Sequence, residues 1–142
     1  MLADRNRVHY APDEMVMALQ LPGITYRVKF RHQYRYNSSF NQVHVVKRLW
    51  EMGDDPFDVG VVCHHHEAAI EQFSKHGLPI WGARPGSYQL TGTWARRIGF
   101  PLARPTCPTF ILFPDERQVV GFADVRQAAG YLTWLRSASS AA

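Results

Sequence analysis

The chain has 142 residues, 46% of them hydrophobic and 20% charged, a length that suits one domain and is short for two. Its 16 Lys and Arg outnumber 12 Asp and Glu for a formal net charge of +4, but the basic residues are scattered and form no run that would mark a nucleic-acid patch. The two cysteines, Cys63 and Cys107, exclude a disulfide-rich scaffold and any zinc or redox site built on a CxxC pair.

A domain of this size buries roughly two-thirds of its unfolded surface, so no metal or disulfide is needed to hold it and no cofactor is expected. No apolar stretch approaches the ~18 residues of a membrane span. The first dozen residues carry Asp4, Arg5 and Arg7 without an apolar run and do not read as a secretory leader. The chain as written therefore reads as cytoplasmic, with a periplasmic setting if it is the trimmed form of a longer precursor.

In chain order, residues 1–23 read as an N-terminal extension in which Met15, Val16, Met17 and Leu19 suit a short helix. Pro22-Gly23 is a turn, and Ile24 to Phe30 alternates β-branched and aromatic residues with polar ones, which predicts a strand. Asn37 to Ser39 supply cap residues for a helix of about three and a half turns carrying Phe40, Val43, Val46 and Trp50 and ending at Gly53. Phe57 to Cys63 is a short apolar run of the kind buried on both faces of a sheet. After His64-His65-His66, the residues Ala69, Ile70 and Phe73 predict a second amphipathic helix stopped by Gly77. Pro79 to Trp81 reads as extended, and Tyr88 to Ile98 as a helix with Trp94 inward. Thr109–Phe113 and Gln118–Phe122 read as an antiparallel hairpin about the Pro114–Arg117 turn, followed by a helix carrying Val125, Ala128, Leu132 and Leu135. The small residues of 137–142 read as a frayed tail.

This order, β-α-β, a connection, then β-β-α, resembles the thioredoxin fold over residues 24–136, in its TlpA-like and peroxiredoxin-related branch. Two local matches carry the resemblance. Arg104-Pro-Thr-Cys-Pro-Thr-Phe-Ile-Leu-Phe113 is similar to the family's loop in which a cis-proline precedes a core strand, which places a cis bond at Pro108. Phe30-Arg-His-Gln-Tyr-Arg-Tyr-Asn-Ser38 lies over the family's redox signature, with Tyr34 at the tryptophan position, Arg35 at the nucleophilic cysteine and Ser38 at the resolving one. The resemblance implies an α/β fold whose central mixed sheet is flanked by helices.

Disulfide exchange needs a thiolate to attack and a second thiol to resolve. Arg35 and Ser38 provide neither, so a dithiol oxidoreductase is excluded by residue type and an enzyme is not the favoured reading. The resemblance implies instead a groove beside the proline that takes an extended protein or peptide partner, lined by Tyr34, Arg35, Tyr36, Ser38, Thr106, Cys107 and Pro108. Strand-like pairing of that sort needs no catalytic group. Arg35 at a helix N-terminus would also suit a carboxylate or phosphate.

Two alternatives stay open. Cys107 would sit beside the vacated redox position, within reach of Arg35, as a single-cysteine thiol enzyme or sensor. The histidine run would offer His64 and His66 to a metal, although consecutive strand residues point to opposite faces. In the thioredoxin arrangement Cys63 and Cys107 fall about two strands apart, ~10 Å, beyond the ~7 Å that a disulfide spans, so two free thiols are expected. The partner's identity and the oligomeric state are not legible.

Overall fold

The computed structural model describes residues 10–87, 93, 97 and 106–140. Among these residues seven strands and two helices are delimited, in the order β1 (Glu14–Leu21), β2 (Ile24–Arg31), α1 (His44–Met52), β3 (Val59–Val62), β4 (Ala69–Lys75), β5 (Leu78–Arg84), β6 (Thr109–Leu112), β7 (Val119–Phe122) and α2 (Val125–Ser140). β1 to β5 form one mixed sheet in the order β1-β2-β3-β5-β4, and β6-β7 form a separate two-stranded sheet. No helix among the described residues is long and apolar enough to cross a membrane.

The β-α-β unit takes the form its periodicity predicts. β2 and β3 are parallel, Val28 opposite Val59, with α1 between them in the chain. α1 is shorter than expected because Ser38 to Asn41 are used in a turn, where Ser38 Oγ accepts a hydrogen bond from the Asn41 amide at 3.1 Å. It stops at Gly53, whose amide donates to the Leu49 carbonyl at 3.0 Å. Its inward face sets Val45, Val46 and Leu49 against Val43, Phe57, Val62 and Ile80. The helix lies close on the strands because Gly60 and Gly82 face it. A Cβ at Gly82 would stand 2.4 Å from Val43 Cγ1, and one at Gly60 would stand 2.5 Å from the Phe57 ring.

Three expectations are corrected. Residues 14–21 are not a helix but β1, antiparallel to β2 through the two-residue turn at Pro22-Gly23, which makes this part of the presumed extension an edge of the main sheet. The second amphipathic helix is absent, since β4 and β5 form a hairpin with Lys75 opposite Leu78. His76 and Gly77 take φ of 50° and 77°, the paired left-handed residues of a two-residue hairpin turn. The frayed tail is helical as far as Ser140, where the Ser137, Ser139 and Ser140 hydroxyls bond back to carbonyls of the preceding turn. In the segment read as a helix over 88–98, Thr93 and Arg97 have helical backbone, and the other residues from Tyr88 on, Trp94 included, lie outside the described residues.

The hairpin β6-β7 forms as predicted but does not extend the main sheet. It lies across the face opposite α1, where Trp81 and Ile70 approach Gly121. The Tyr26 hydroxyl lies 2.8, 2.9 and 3.0 Å from the Phe113, Glu116 and Gln118 carbonyls, which share its one proton, and accepts from the Gln118 amide at 3.0 Å, while Trp81 Nε1 donates to the Val119 carbonyl at 2.8 Å. At the other edge, Lys29 on β2 is only 2% exposed and pairs with Glu14 of β1 at 2.9 Å.

Candidate functional site

β2, β3 and β5 run parallel and end side by side, and in open sheets of this kind ligands bind beyond the carboxyl ends of the strands. Beyond Arg31 the chain enters the loop of residues 32–43, beyond Val62 it enters Cys63 to Glu67, and β5 ends on Arg84. The Cys63 amide continues the ladder by donating to the Arg31 carbonyl at 3.1 Å, so the first two loops leave the sheet together.

That juxtaposition brings His32 onto His64, Nε2 to Nδ1 at 3.2 Å, with the rings edge to face. The His65 ring stands against His64 with centroids 5.1 Å apart. A nitrogen-to-nitrogen hydrogen bond requires at least one of the two rings to be neutral. His65 is held below the ordinary imidazole range, first by desolvation and then by Arg84 and His64. Left-handed backbone is uncommon outside glycine and tends to collect at functional sites. Three of the four such residues among those described, Tyr36, His64 and His66, lie at this edge.

The loop after β2 carries a second grouping. The Arg31 guanidinium lies over Tyr34 at 4.8 Å, and Arg35 and Arg48 lie over Tyr36 at 5.1 and 5.0 Å. The two tyrosine rings meet edge to face at 6.4 Å, and Phe40 is wholly exposed. An open cleft of about 730 Å³ runs along Asp13, Arg31, His32, Gln33, Tyr34 and Arg35. Arg31 is already engaged by Glu14 and by the Gln33 carbonyl, whereas Arg35 has no carboxylate within ion-pair distance among the described residues.

Arg84 closes the edge from the α1 side. It is 2% exposed; its Nη1 donates to Asn37 Oδ1 at 3.1 Å and to the Gln42 carbonyl at 3.2 Å, while its buried Nη2 has no hydrogen-bond partner among the described residues. Burial lowers its pKa, and the nearby Glu67 opposes that shift.

Of the residues the sequence singles out, Tyr34, Arg35, Tyr36 and Ser38 share the loop after β2, but Ser38 is occupied in the turn before α1. Thr106, Cys107 and Pro108 lead into β6 of the second sheet, and no hydrogen bond, ion pair or ring contact among the described residues joins them to that loop. The Cys107–Pro108 bond is trans, for no cis peptide occurs among the described residues, so the expected cis-proline groove is not formed there. Arg35 points to Tyr36 rather than to a helix terminus or to Cys107. Both cysteines are free, and burial pushes the half-buried Cys63 thiol up, away from the reactive thiolate. His64 pairs with His32 and not with His66, and no three His, Cys, Asp or Glu side chains among the described residues are placed to hold one metal ion. Arg84 gave no sign in the sequence, because only the topology reveals that the last residue of a strand lies under a distant loop.

At the amino ends of the same strands a smaller cleft of about 430 Å³ runs between Trp50, Asp58, Trp81 and Arg117. Its polar groups satisfy one another: Asp58 accepts from the Arg27 amide at 2.7 Å and from Arg117 at 2.8 Å. It reads as a junction between the two sheets.

The fold thus defines a mixed α/β protein with a five-stranded sheet. No family model matches the chain, and no curated protein matches it. Among solved structures, the solution NMR structure of the Thermotoga maritima protein TM1076 is similar at 18% identity over 76% of this chain and 53% of that one, with a TM-score of 0.35. The chain spans about half the length of that protein, and a likeness of this strength carries no conclusion about fold or function.

Proposed function

We propose that this chain is a redox-inactive, thioredoxin-like module that binds a protein or peptide partner through the loop after β2. The supporting observation is the group of arginines and aromatic rings at that loop: Arg31 at the end of β2, Arg35 on the loop and Arg48 on α1 against Tyr34 and Tyr36, with Phe40 of the same loop fully exposed. Tyr and Arg are among the residues that supply most interface energy, and a guanidinium already stacked on a ring loses less freedom on binding. The thioredoxin-like part of the reading draws on the order β2-α1-β3 and the closing β6-β7-α2. β1, the β4-β5 hairpin and the separation of β6-β7 from the main sheet lie outside that pattern, and the trans Pro108 moves the proposed contact from the proline to the tyrosine loop. Arg35 and Ser38 leave no dithiol at the loop.

The test is a displayed peptide library panned on the full chain and on a Tyr36→Ala, Phe40→Ser double variant. Peptides that lose about tenfold or more in affinity for a variant with unchanged melting temperature support the reading. No enrichment, or equal binding to both proteins, refutes it. Enrichment that disappears with Cys107→Ser replaces it with the single-cysteine reading.

A further inference from the structure

The amino end of α1 and the guanidinium beneath it are two positive features that no carboxylate among the described residues pairs with. A helix start exposes free N–H groups and about half a positive charge. α1 has no acidic residue in its first turn and no side-chain cap, since its N-cap position is Val43. The His44 amide is taken by the Asn41 carbonyl at 3.1 Å, and those of Val46 and Lys47 by the Val43 carbonyl at 2.9 and 3.2 Å. The Val45 amide makes no hydrogen bond among the described residues. Arg84 meets this turn directly, for its Nη1 donates to the carbonyl of Gln42, one residue before the N-cap, and leaves Nη2 buried with no hydrogen-bond partner among the described residues. A buried donor left unmade costs free energy comparable to a lost hydrogen bond, and more when it is charged. The nearest opposing charge, Glu67, hydrogen-bonds Gln42 Nε2 at 3.2 Å instead and forms no ion pair with Arg84 within 4.0 Å.

We propose that Arg84 and the first turn of α1 form a binding site for a small oxyanion, a carboxylate or a phosphate, which takes hydrogen bonds from Arg84 Nη2 and the Val45 amide. The way in is the loop of residues 37–42, where Asn37 covers the guanidinium and is itself exposed to solvent. Glu67 is the internal competitor. The ligand is held at the base of the loop, so its binding does not depend on what partner the tyrosines above it take.

The experiment follows amide resonances of the ¹⁵N-labelled full chain during titration with sodium phosphate and, separately, sodium acetate, each balanced with sodium chloride to constant ionic strength. A saturable shift centred on His44 and Val45, with a dissociation constant of order 1 mM, is expected. Saturation by phosphate alone assigns a phosphate ligand, and saturation by acetate alone assigns a carboxylate. Glu67→Gln removes the competing charge and is expected to tighten binding about fivefold. The proposal is overturned if neither anion gives a saturable shift at Val45 in the wild-type chain, or if Arg84→Met keeps a native spectrum and binds as well. Should Arg84→Met fail to fold, the wild-type titration and Glu67→Gln decide the question, with unchanged affinity in Glu67→Gln counting against the site.

Discussion

The two faces of the main sheet are covered by different physics. On one, α1 lies directly on the strands, and Val43, Val45, Val46, Leu49, Phe57, Val62 and Ile80 are nearly sealed from solvent. On the other, the sheet contributes Tyr26, Val28, Val59 and Ala83, but β6 and β7 stay half-exposed throughout, and Ala128 is the one buried residue of α2 among those described. The hairpin is fastened instead by directed bonds from Tyr26 and Trp81 to its carbonyls. The first face resists change of volume, and the second resists change of polar atoms.

Leu49→Ala tests the helix side hardest. Removing a fully buried leucine from a close-packed core is expected to cost about 3 kcal/mol, read from urea unfolding, with every probe of the fold losing protection together. Tyr26→Phe keeps the ring and deletes the hydroxyl, with an expected cost of about 1.5 kcal/mol. Amide exchange should quicken in residues 109–122 while β3 is unchanged; uniform quickening would mean that the two faces form one cooperative unit. Asp124 accepts a hydrogen bond from the Arg126 amide at 2.9 Å at the start of α2. Asp124→Ala should lower the urea midpoint by less than Tyr26→Phe does and loosen α2 without affecting α1.

The smallest effect is one of pH. Lys75 and Arg48 both engage Glu51, tying α1 to β4, and hold its carboxyl below the usual range. A depressed carboxylate pKa contributes stability above the unfolded value of about 4.3, and that contribution is lost as pH falls through the folded value. Wild type should therefore exceed Glu51→Gln slightly at neutral pH, with the difference closing in acid. A difference that grows in acid would contradict the ion pairs.

β2, α1, the β6-β7 hairpin and α2 were legible because each buries one stripe or one face, so its period survives in the residues, and β3 because burial on both faces leaves a short unbroken apolar run. The β4-β5 pair was not. Ala69, Ile70 and Phe73 fit a helical stripe as well as a strand, and Gly77 serves equally as the residue beyond a helix or as the second residue of a tight hairpin turn. A two-residue His-Gly loop between Lys75 and Leu78 was the available signal. β1 was obscured in the same way, with Met15, Met17 and Leu19 as compatible with alternation as with a helix. At the site, the Tyr34-Arg35-Tyr36 segment could be picked out locally. The His32–His64 pair and the covering of Arg84 by Asn37 depend on partners 32 and 47 residues away, which no local pattern records.

Lys29 has a consequence for how the chain closes its amino-terminal edge. Shifting β1 by one residue would turn Glu14 to the opposite face and leave the enclosed ammonium group with only its longer contact to Asp55 at 3.8 Å, which costs free energy. The short Lys29–Glu14 pair thus works as a proofreader for the alignment of the strand, disfavouring mis-set pairings that backbone hydrogen bonds alone would accept.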